Sequence, residues 1–331
     1  MKISQISVEE FNKLAKCEPC ASIYQSSYWS DLMIKKGYEP LFIQYSDDSN
    51  MCVALSMFLL KKDSILSFKP TAYSPFGYLI NYYDKNLLSM FNHDLVVFLR
   101  EKKVGKIVIE PSISLHNDKY TNEAVVKSLL ECGYIKSKNL FVYNLSTAKH
   151  QEHSNTHYII HKVNETDERI LYSSSIKEEY LEVYEAIKPN ASIYEVKLDS
   201  FKTRRTIEEK IIECEEYIKK HKSDYKYIDK IPEKKKEIEN YNMIESVVDK
   251  FEEKNGIDGL LAIACVCKYA GKCNIMFIVN YDKNNFFEAE NALIDKIVED
   301  CKKEGFKNIK SLKPFVCADE IELLGEYSMK I

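Results

Sequence analysis

From Asp199 to Gly256 the apolar residues recur at helical spacing, whereas on both sides they come in short β-branched runs. Ile207, Ile211, Cys214 and Ile218 make one stripe; after KSDYKYIDKIP, residues Ile238, Tyr241, Ile244, Val248 and Phe251 make a second. Two stripes joined by a short loop predict an antiparallel helical hairpin with a narrow seam, and Pro232 suits a first helical turn. Strand patterns resume on each side of it. SIYEVKL spans 192–198, and DGLLAIACVCKYAGKCNIMFIVNY forms a β-hairpin turning at Ala270–Gly271. The helical hairpin is therefore expected as an insertion into a sheet-containing domain. A helix from about Asn284 to Lys303, with Ala289, Leu293, Ile297 and Cys301 inward, and two short strands, SLKPFV and EIELLGEY, follow.

The first 146 residues carry a different order. Helices at Val8–Leu14 and Tyr28–Lys36 precede strand-like runs at 41–45, 52–60 and 64–69. Asp84 caps a helix with Leu88, Phe91, Leu95, Phe98 and Leu99 at helical spacing. KIVIEP at 106–111 reads as a buried strand stopped by proline. A helix from Asn122 to Cys132 and a strand at 140–145 complete the unit. Helix–helix–three strands–helix–strand–helix–strand is an acetyltransferase-like (GNAT-like) order with a mixed sheet. The expected fold is α+β, with two such domains: 1–146, and a shortened second one from 147–198 and 257–331. The helical hairpin, a coiled-coil arm, takes 199–256.

Composition narrows the function classes. A chain of 331 residues, 45% hydrophobic and 30% charged, can bury two ordinary cores. MKISQISVEEFNKL is amphipathic and acidic, unlike a signal peptide, and no apolar run approaches the roughly 20 residues of a membrane span. The expected location is the cytoplasm. There, most of the ten cysteines serve as small buried hydrophobes. Neither Cys17-x-x-Cys20 nor the cluster Cys265, Cys267, Cys273 has a spacing that demands zinc. His150, His153, His157 and His161 would share a helix face only if HQEHSNTHYIIH were helical, and its Asn-Thr and Tyr-Ile-Ile disfavour that. No metal and no cofactor are expected.

Charge is concentrated at the hairpin tip. Between Lys219 and Lys236, eight lysines face Asp224, Asp229 and Glu233, a net of +5 in a chain of net −4. Tyr217, Tyr225 and Tyr227 are interleaved. Such a tip suits a nucleic-acid backbone, and it equally suits a solvated helical surface. The chain has nine glycines and no Gly-rich strand-to-helix turn of the kind that holds the pyrophosphate of coenzyme A. This argues against a small-molecule acyltransferase that uses that donor. Glu110, ending KIVIEP, stands where a strand opens into a cleft. It can act as a general base, grip an amine, or simply terminate the strand.

Several blocks together resemble the Fem family of non-ribosomal peptidoglycan aminoacyltransferases: QSSYWSDLMIKKGYEP, AYSPFGYLINYYDKNLLSMF, KIVIEPSI, the hairpin after SIYEVKLDSF, and LKPFVCADEIELLGEY. The resemblance covers most of the chain. It implies transfer of an amino acid from aminoacyl-tRNA to the stem peptide of a lipid-linked or UDP-linked peptidoglycan precursor, building an interpeptide bridge. It implies that Lys35, with Lys36 beside it, contacts the precursor, and that Glu110 replaces an Asp of an Asp-Pro strand end. Lys313 matches a lysine that resembles a transition-state stabiliser. Ser74 and Gly77, in the turn Ser74-Pro75-Phe76-Gly77 that stands for a Ser-x-Gly-Pro turn, are assigned with Lys35 and Lys36 to substrate binding. Lys219, Lys220, Lys222, Lys226, Lys234 and Lys235 are assigned to tRNA. The arm also offers a surface for a dimer with a second copy or a paralogue, and a lipid-linked precursor would bring the protein to the membrane surface. The segment between Leu145 and Ile187 is short for the family, and FIVNY lacks the usual glycines. The alternative is therefore a catalytically degenerate relative that docks a partner through its arm.

Overall fold

A computed structural model describes residues 1–62, 68–114, 119–145, 156–163, 176–255, 259–282, 286–307, 309–312, 314 and 319–331. Chain order begins β1 (Lys2–Gln5), α1 (Val8–Ala15), a 3-10 turn (Ile23–Gln25), α2 (Ser27–Lys35), β2 (Glu39–Ser46), β3 (Cys52–Lys61), β4 (Thr71–Ser74) and α3 (Lys85–Glu101). Next come β5 (Lys106–Ile109), α4 (Lys119–Glu131), β6 (Ile135–Asn144), β7 (Tyr158–Lys162), α5 (Glu178–Ile187), β8 (Ala191–Leu198), α6 (Ser200–His221) and α7 (Lys230–Asn255). Finally come β9 (Leu260–Tyr269), β10 (Lys272–Asn280), α8 (Ala289–Lys303), β11 (Ile309–Ser311) and β12 (Asp319–Lys330).

Side-chain caps set several helix starts. Ser7 accepts from the Glu10 N–H, Ser26 from Trp29 and Asp84 from Leu87. Ala270 and Gly271, both at positive φ, make the two-residue turn of the β9–β10 hairpin. β1 and β7 were not expected from the sequence. The strand expected over 64–69 lies largely outside the described residues; Phe68 and Lys69 form a bend, and pairing resumes at Thr71.

All twelve described strands join one sheet, in the order β1-β2-β3-β4-β5-β12-β6-β11-β10-β9-β8-β7. β4–β5 and β10–β11 pair parallel and the rest antiparallel, so the sheet is mixed. β12, close to the second half in sequence, hydrogen-bonds between β5 and β6 of the first half. Its register shifts around Gly325, whose φ of 106° a Cβ would strain and whose Cβ position lies 2.5 Å from the Lys138 carbonyl. Past this bulge Glu326 pairs with Lys138 at 2.9 Å.

Helices cover both faces. α3 and α4 bury Leu88, Phe91, Leu95, Val125 and Leu129 on one side of the first half, while Phe11, Phe42, Leu55 and Met57 pack beneath α1 and α2 on the other. α8 covers the second half through Leu293, Ile294 and Ile297. A further core crosses between the halves, joining Ile23 and Tyr24 to Tyr184, Ile187, Ile263 and Phe277. α6 and α7 lie against each other, with Arg204 paired to Asp249 and Glu252 and the Cys214 thiol donating to Glu237 at 3.4 Å.

One side chain ties the 3-10 turn before α2 to the sheet. Gln25 is wholly buried, and its Nε2 donates to the carbonyls of Met57 (3.2 Å) and Pro75 (2.8 Å) and to Ser74 Oγ (3.2 Å). The Met57 N–H donates back to Gln25 Oε1 at 2.7 Å. β3 pairs β4 only through residues 59–61 and touches the following segment again at Leu55–Leu79. At Met57 the Gln25 amide fills that gap, supplying one donor and one acceptor as a strand would. Gln25→Ala leaves several buried polar groups unpartnered, each costing about 1–3 kcal/mol. We expect a clear drop in thermal midpoint by calorimetry, with Gln25→Glu no better because it keeps the shape but loses the donor.

Candidate functional site

The site begins where β4 ends. Ser74-Pro75-Phe76-Gly77 is a tight turn with Pro at its second position and Phe76 at φ 56°, closed by the Gly77 N–H donating to the Ser74 carbonyl at 3.3 Å. Phe76 adopts this unusual conformation while its ring stacks on Tyr24, centroids 4.5 Å apart. Gly77, at φ 83°, has no room for a side chain: a Cβ would lie 2.5 Å from the Tyr82 hydroxyl and 3.1 Å from Pro111 Cα. Ser74 is buried, donates to the Gly77 carbonyl at 2.7 Å, and bonds Ser56 Oγ at 2.9 Å. Neither Ser74 nor Gly77 lines the cavities described below.

The turn presents its backbone to Glu110, whose own N–H donates to the Ser74 carbonyl at 3.4 Å. Glu110 is 8% exposed, and Tyr73 donates its phenol to Glu110 Oε2 at 2.7 Å. Burial pushes the Glu110 carboxyl above its ordinary range; the Tyr73 hydrogen bond, Lys138 and the Phe76 N–H oppose this without cancelling it. Burial and the neighbouring carboxylate push the Tyr73 phenol up, so it stays protonated and donates.

Two cavities meet at Tyr73. One, of about 410 Å³, is lined by Tyr24, Trp29, Met33, Tyr73, Phe76 and Glu110 from the first half and by Val183, Met276 and Leu312 from further along the chain. It is largely apolar, and Trp29 lies edge-on to Tyr24 at 4.6 Å. A second, of about 450 Å³, shares Tyr73 and is bordered by Lys61, Lys62 and Lys106 with Tyr38, Thr71 and Glu326. Lys61 Nζ sits 4.4 Å from the Tyr38 ring centroid and donates to the Lys36 carbonyl at 2.9 Å. A third, of about 70 Å³, adjoins the first through Tyr24, Phe76, Val142, Leu312 and Leu323.

The structure thus brings Glu110, Ser74 and Gly77 together. Lys36 stands beside Lys61 and 3.8 Å from Glu182, while Lys35 is exposed at the end of α2 and lines none of these cavities. Lys313 lies outside the described residues. Lys219, Lys220, Lys222, Lys226 and Lys235 are exposed around the α6–α7 connection, and Lys234 pairs with Glu237. Of the histidines, His157 bonds Thr206 and His161 pairs with Glu195 at 2.7 Å; His150 and His153 lie outside the described residues. Cys273 and Cys301 have their sulfurs 3.3 Å apart. Among the described residues, no three His, Cys, Asp or Glu are grouped to hold a metal. Sequence reasoning missed Tyr73, Gln25, Lys61 and Lys106; the strand alternation of Thr71, Tyr73 and Lys106, Val108 places them on one face only once the pairing is known.

A model of the FemAB family matches residues 6–190, more than half of the chain and all of the segment that carries Gln25, Tyr73 and Glu110. The chain belongs to the FemAB family. Its fold is that of FemX, whose crystal structure superposes with a TM-score of 0.69 at 12% identity, over 100% of this chain and 98% of that one. A tandem GNAT protein from the clavulanic acid biosynthesis pathway aligns over 99% of this chain and 98% of its own, at 5% identity and a TM-score of 0.48. No curated protein matches by sequence.

The raised Glu110 carboxyl makes a pH prediction. A group whose folded pKa lies above its unfolded value favours the fold when protonated, and that contribution is lost as pH rises through the folded value. Glu110→Gln should therefore melt higher than the wild type at neutral pH, with the difference closing as pH falls to the ordinary carboxylate value of 4.5. Melting curves across that range check it; equal midpoints at neutral pH would contradict the burial argument.

Proposed function

We propose that this FemAB-family protein is an aminoacyltransferase that moves an amino acid from aminoacyl-tRNA to the stem peptide of a peptidoglycan precursor. The observation that carries the reading is the buried Glu110 carboxyl held by half-buried Tyr73, which lies between an apolar cavity that both halves of the chain line and a lysine-bordered one. An ester of an amino acid with a ribose hydroxyl is converted to an amide downhill, without nucleotide hydrolysis, so the protein's task is chiefly positioning.

The acceptor amine attacks the ester carbonyl. A C–N bond forms, the C–O bond to the ribose breaks, and the amine's proton moves to the departing ribose oxygen. Glu110 is suited to take that proton from the amine and hand it on, because a carboxylate with a raised pKa is the better base. Tyr73 holds the carboxylate oriented by donating to one oxygen. Lys313, assigned by resemblance, balances the negative charge that develops on the carbonyl oxygen. Lys61, Lys62 and Lys106, with Lys35 and Lys36 beside them, supply positive charge for the precursor's diphosphate. The α6–α7 pair acts as an arm, and its lysines Lys219, Lys220, Lys222, Lys226, Lys234 and Lys235 hold the tRNA backbone, in which case affinity falls steeply with salt.

The deciding experiment is transfer of labelled amino acids from charged tRNA to lipid-linked and UDP-linked precursors side by side. Glu110→Gln should lower kcat by roughly 10²–10⁴-fold with little change in KM. Tyr73→Phe should do so less and shift the pH profile upward, since the phenol holds the carboxyl pKa down. No transfer with any charged tRNA and either precursor would sink the proposal, and full activity of Lys313→Ala would remove that residue from the mechanism.

A further inference from the structure

The smallest of the three cavities is chemically unlike the others. Lys272 and Asn274 share a face of β10, and Lys310 stands opposite Asn274 on the parallel strand β11, so all three side chains converge on one niche. The lining includes no Asp or Glu; Ser22, Ser112 and Tyr24 also border it, whereas Cys273 turns its thiol to Cys301 on the other face of β10. Lys272 Nζ donates to the Ala21 carbonyl at 2.5 Å, and Lys310 Nζ has no hydrogen-bond or ion-pair partner among the described residues. Burial pushes both ammonium groups below their usual range, and Lys310 further disfavours the charge on Lys272. Two half-buried cations without a counter-charge are destabilising, and a chain that keeps them has a use for them.

We propose that Lys272 and Lys310 form a niche for a phosphate group carried by a substrate. A carboxylate would neutralise one of the two charges, whereas a phosphate can engage both, and Asn274 and Ser112 add neutral donors. The niche adjoins the apolar cavity that reaches Glu110, so a phosphate held there anchors a ligand whose reactive end lies in that cavity. The inference rests on the acyl-transfer reading only in calling the ligand a substrate. The oxyanion site itself stands on this geometry alone.

The test uses the full-length protein with ¹³C-labelled lysine side chains, in which the Lys310 resonance is assigned by its loss in Lys310→Met. Inorganic phosphate and pyrophosphate should shift that resonance, with acetate at equal ionic strength shifting it far less. Calorimetric affinity for pyrophosphate should fall about tenfold or more in Lys310→Met and in Lys272→Met. Lys310→Met should fold at least as stably as the wild type, since it removes a half-buried unpartnered charge, and its melting curve separates loss of binding from loss of fold. UDP and the trinucleotide CCA then distinguish the source of the phosphate: shift of the Lys310 resonance by UDP assigns it to the acceptor, by CCA to the donor. A niche that neither reaches is not a substrate site, and the proposal falls. It falls too if phosphate shifts only other lysines, or binds both variants as it binds the wild type. These readouts do not use acyl transfer, so failed transfer with intact phosphate binding overturns only the proposed function, and the converse result only the niche.

Discussion

The buried amide of Gln25 is the contact on which the site's geometry depends. β3 and β4 part company after a few paired residues, because the chain after Ser74 must turn sharply rather than continue alongside Met57. A sheet opened in this way would leave backbone groups at Met57 and Pro75 without partners in a dry interior. Gln25 satisfies them from outside the sheet, and the residue that follows it, Ser26, caps α2. One side chain therefore ties the start of α2, the gap in the sheet and the turn together. Trp29 and Met33, carried by α2, wall the apolar cavity for the same reason.

Once the turn is fixed, the placement of Glu110 follows. A carboxylate so buried is expensive unless something donates to it, and Tyr73 and the Phe76 N–H, both supplied by the β4 end and its turn, do so. The left-handed conformation of Phe76 aims that N–H, and stacking on Tyr24 helps to hold it. The carboxylate is thereby oriented while remaining easier to protonate than a surface glutamate. That combination suits proton transfer more than static ion pairing.

Much of this was legible in the sequence, and the misses have physical causes. The helix of Leu88, Phe91 and Leu95, the turn at Ala270–Gly271 and the buried strand KIVI announce themselves through period and turn chemistry. Glu110 stands out as an acid ending a buried strand. Tyr73 does not, because its meaning depends on being next to β5, and pairing between strands some thirty residues apart leaves no local trace. Gln25 reads as part of a helix cap, since nothing in QSS reveals that its amide points inward at a gap between two strands. β1 and β7 are short and lie at the two ends of the sheet, where pattern is weakest. Lys272 and Lys310 are ordinary strand lysines until β10 and β11 are set side by side.

The position of β12 bears on how the molecule is made. β5 and β6 are synthesised early, yet the strand that fills the space between them lies about two hundred residues downstream. Until the chain's end is made, β5 has an open edge and β6 has neither of its partners, β11 and β12, and the apolar surface that Leu324 and Tyr327 will cover is exposed. Leu323 and Glu326, which help wall the cavities around Tyr73, arrive with the same strand. The first half therefore cannot close its sheet during translation, and a chain cut short before Asp319 would lose its site and gain two edges prone to aggregation.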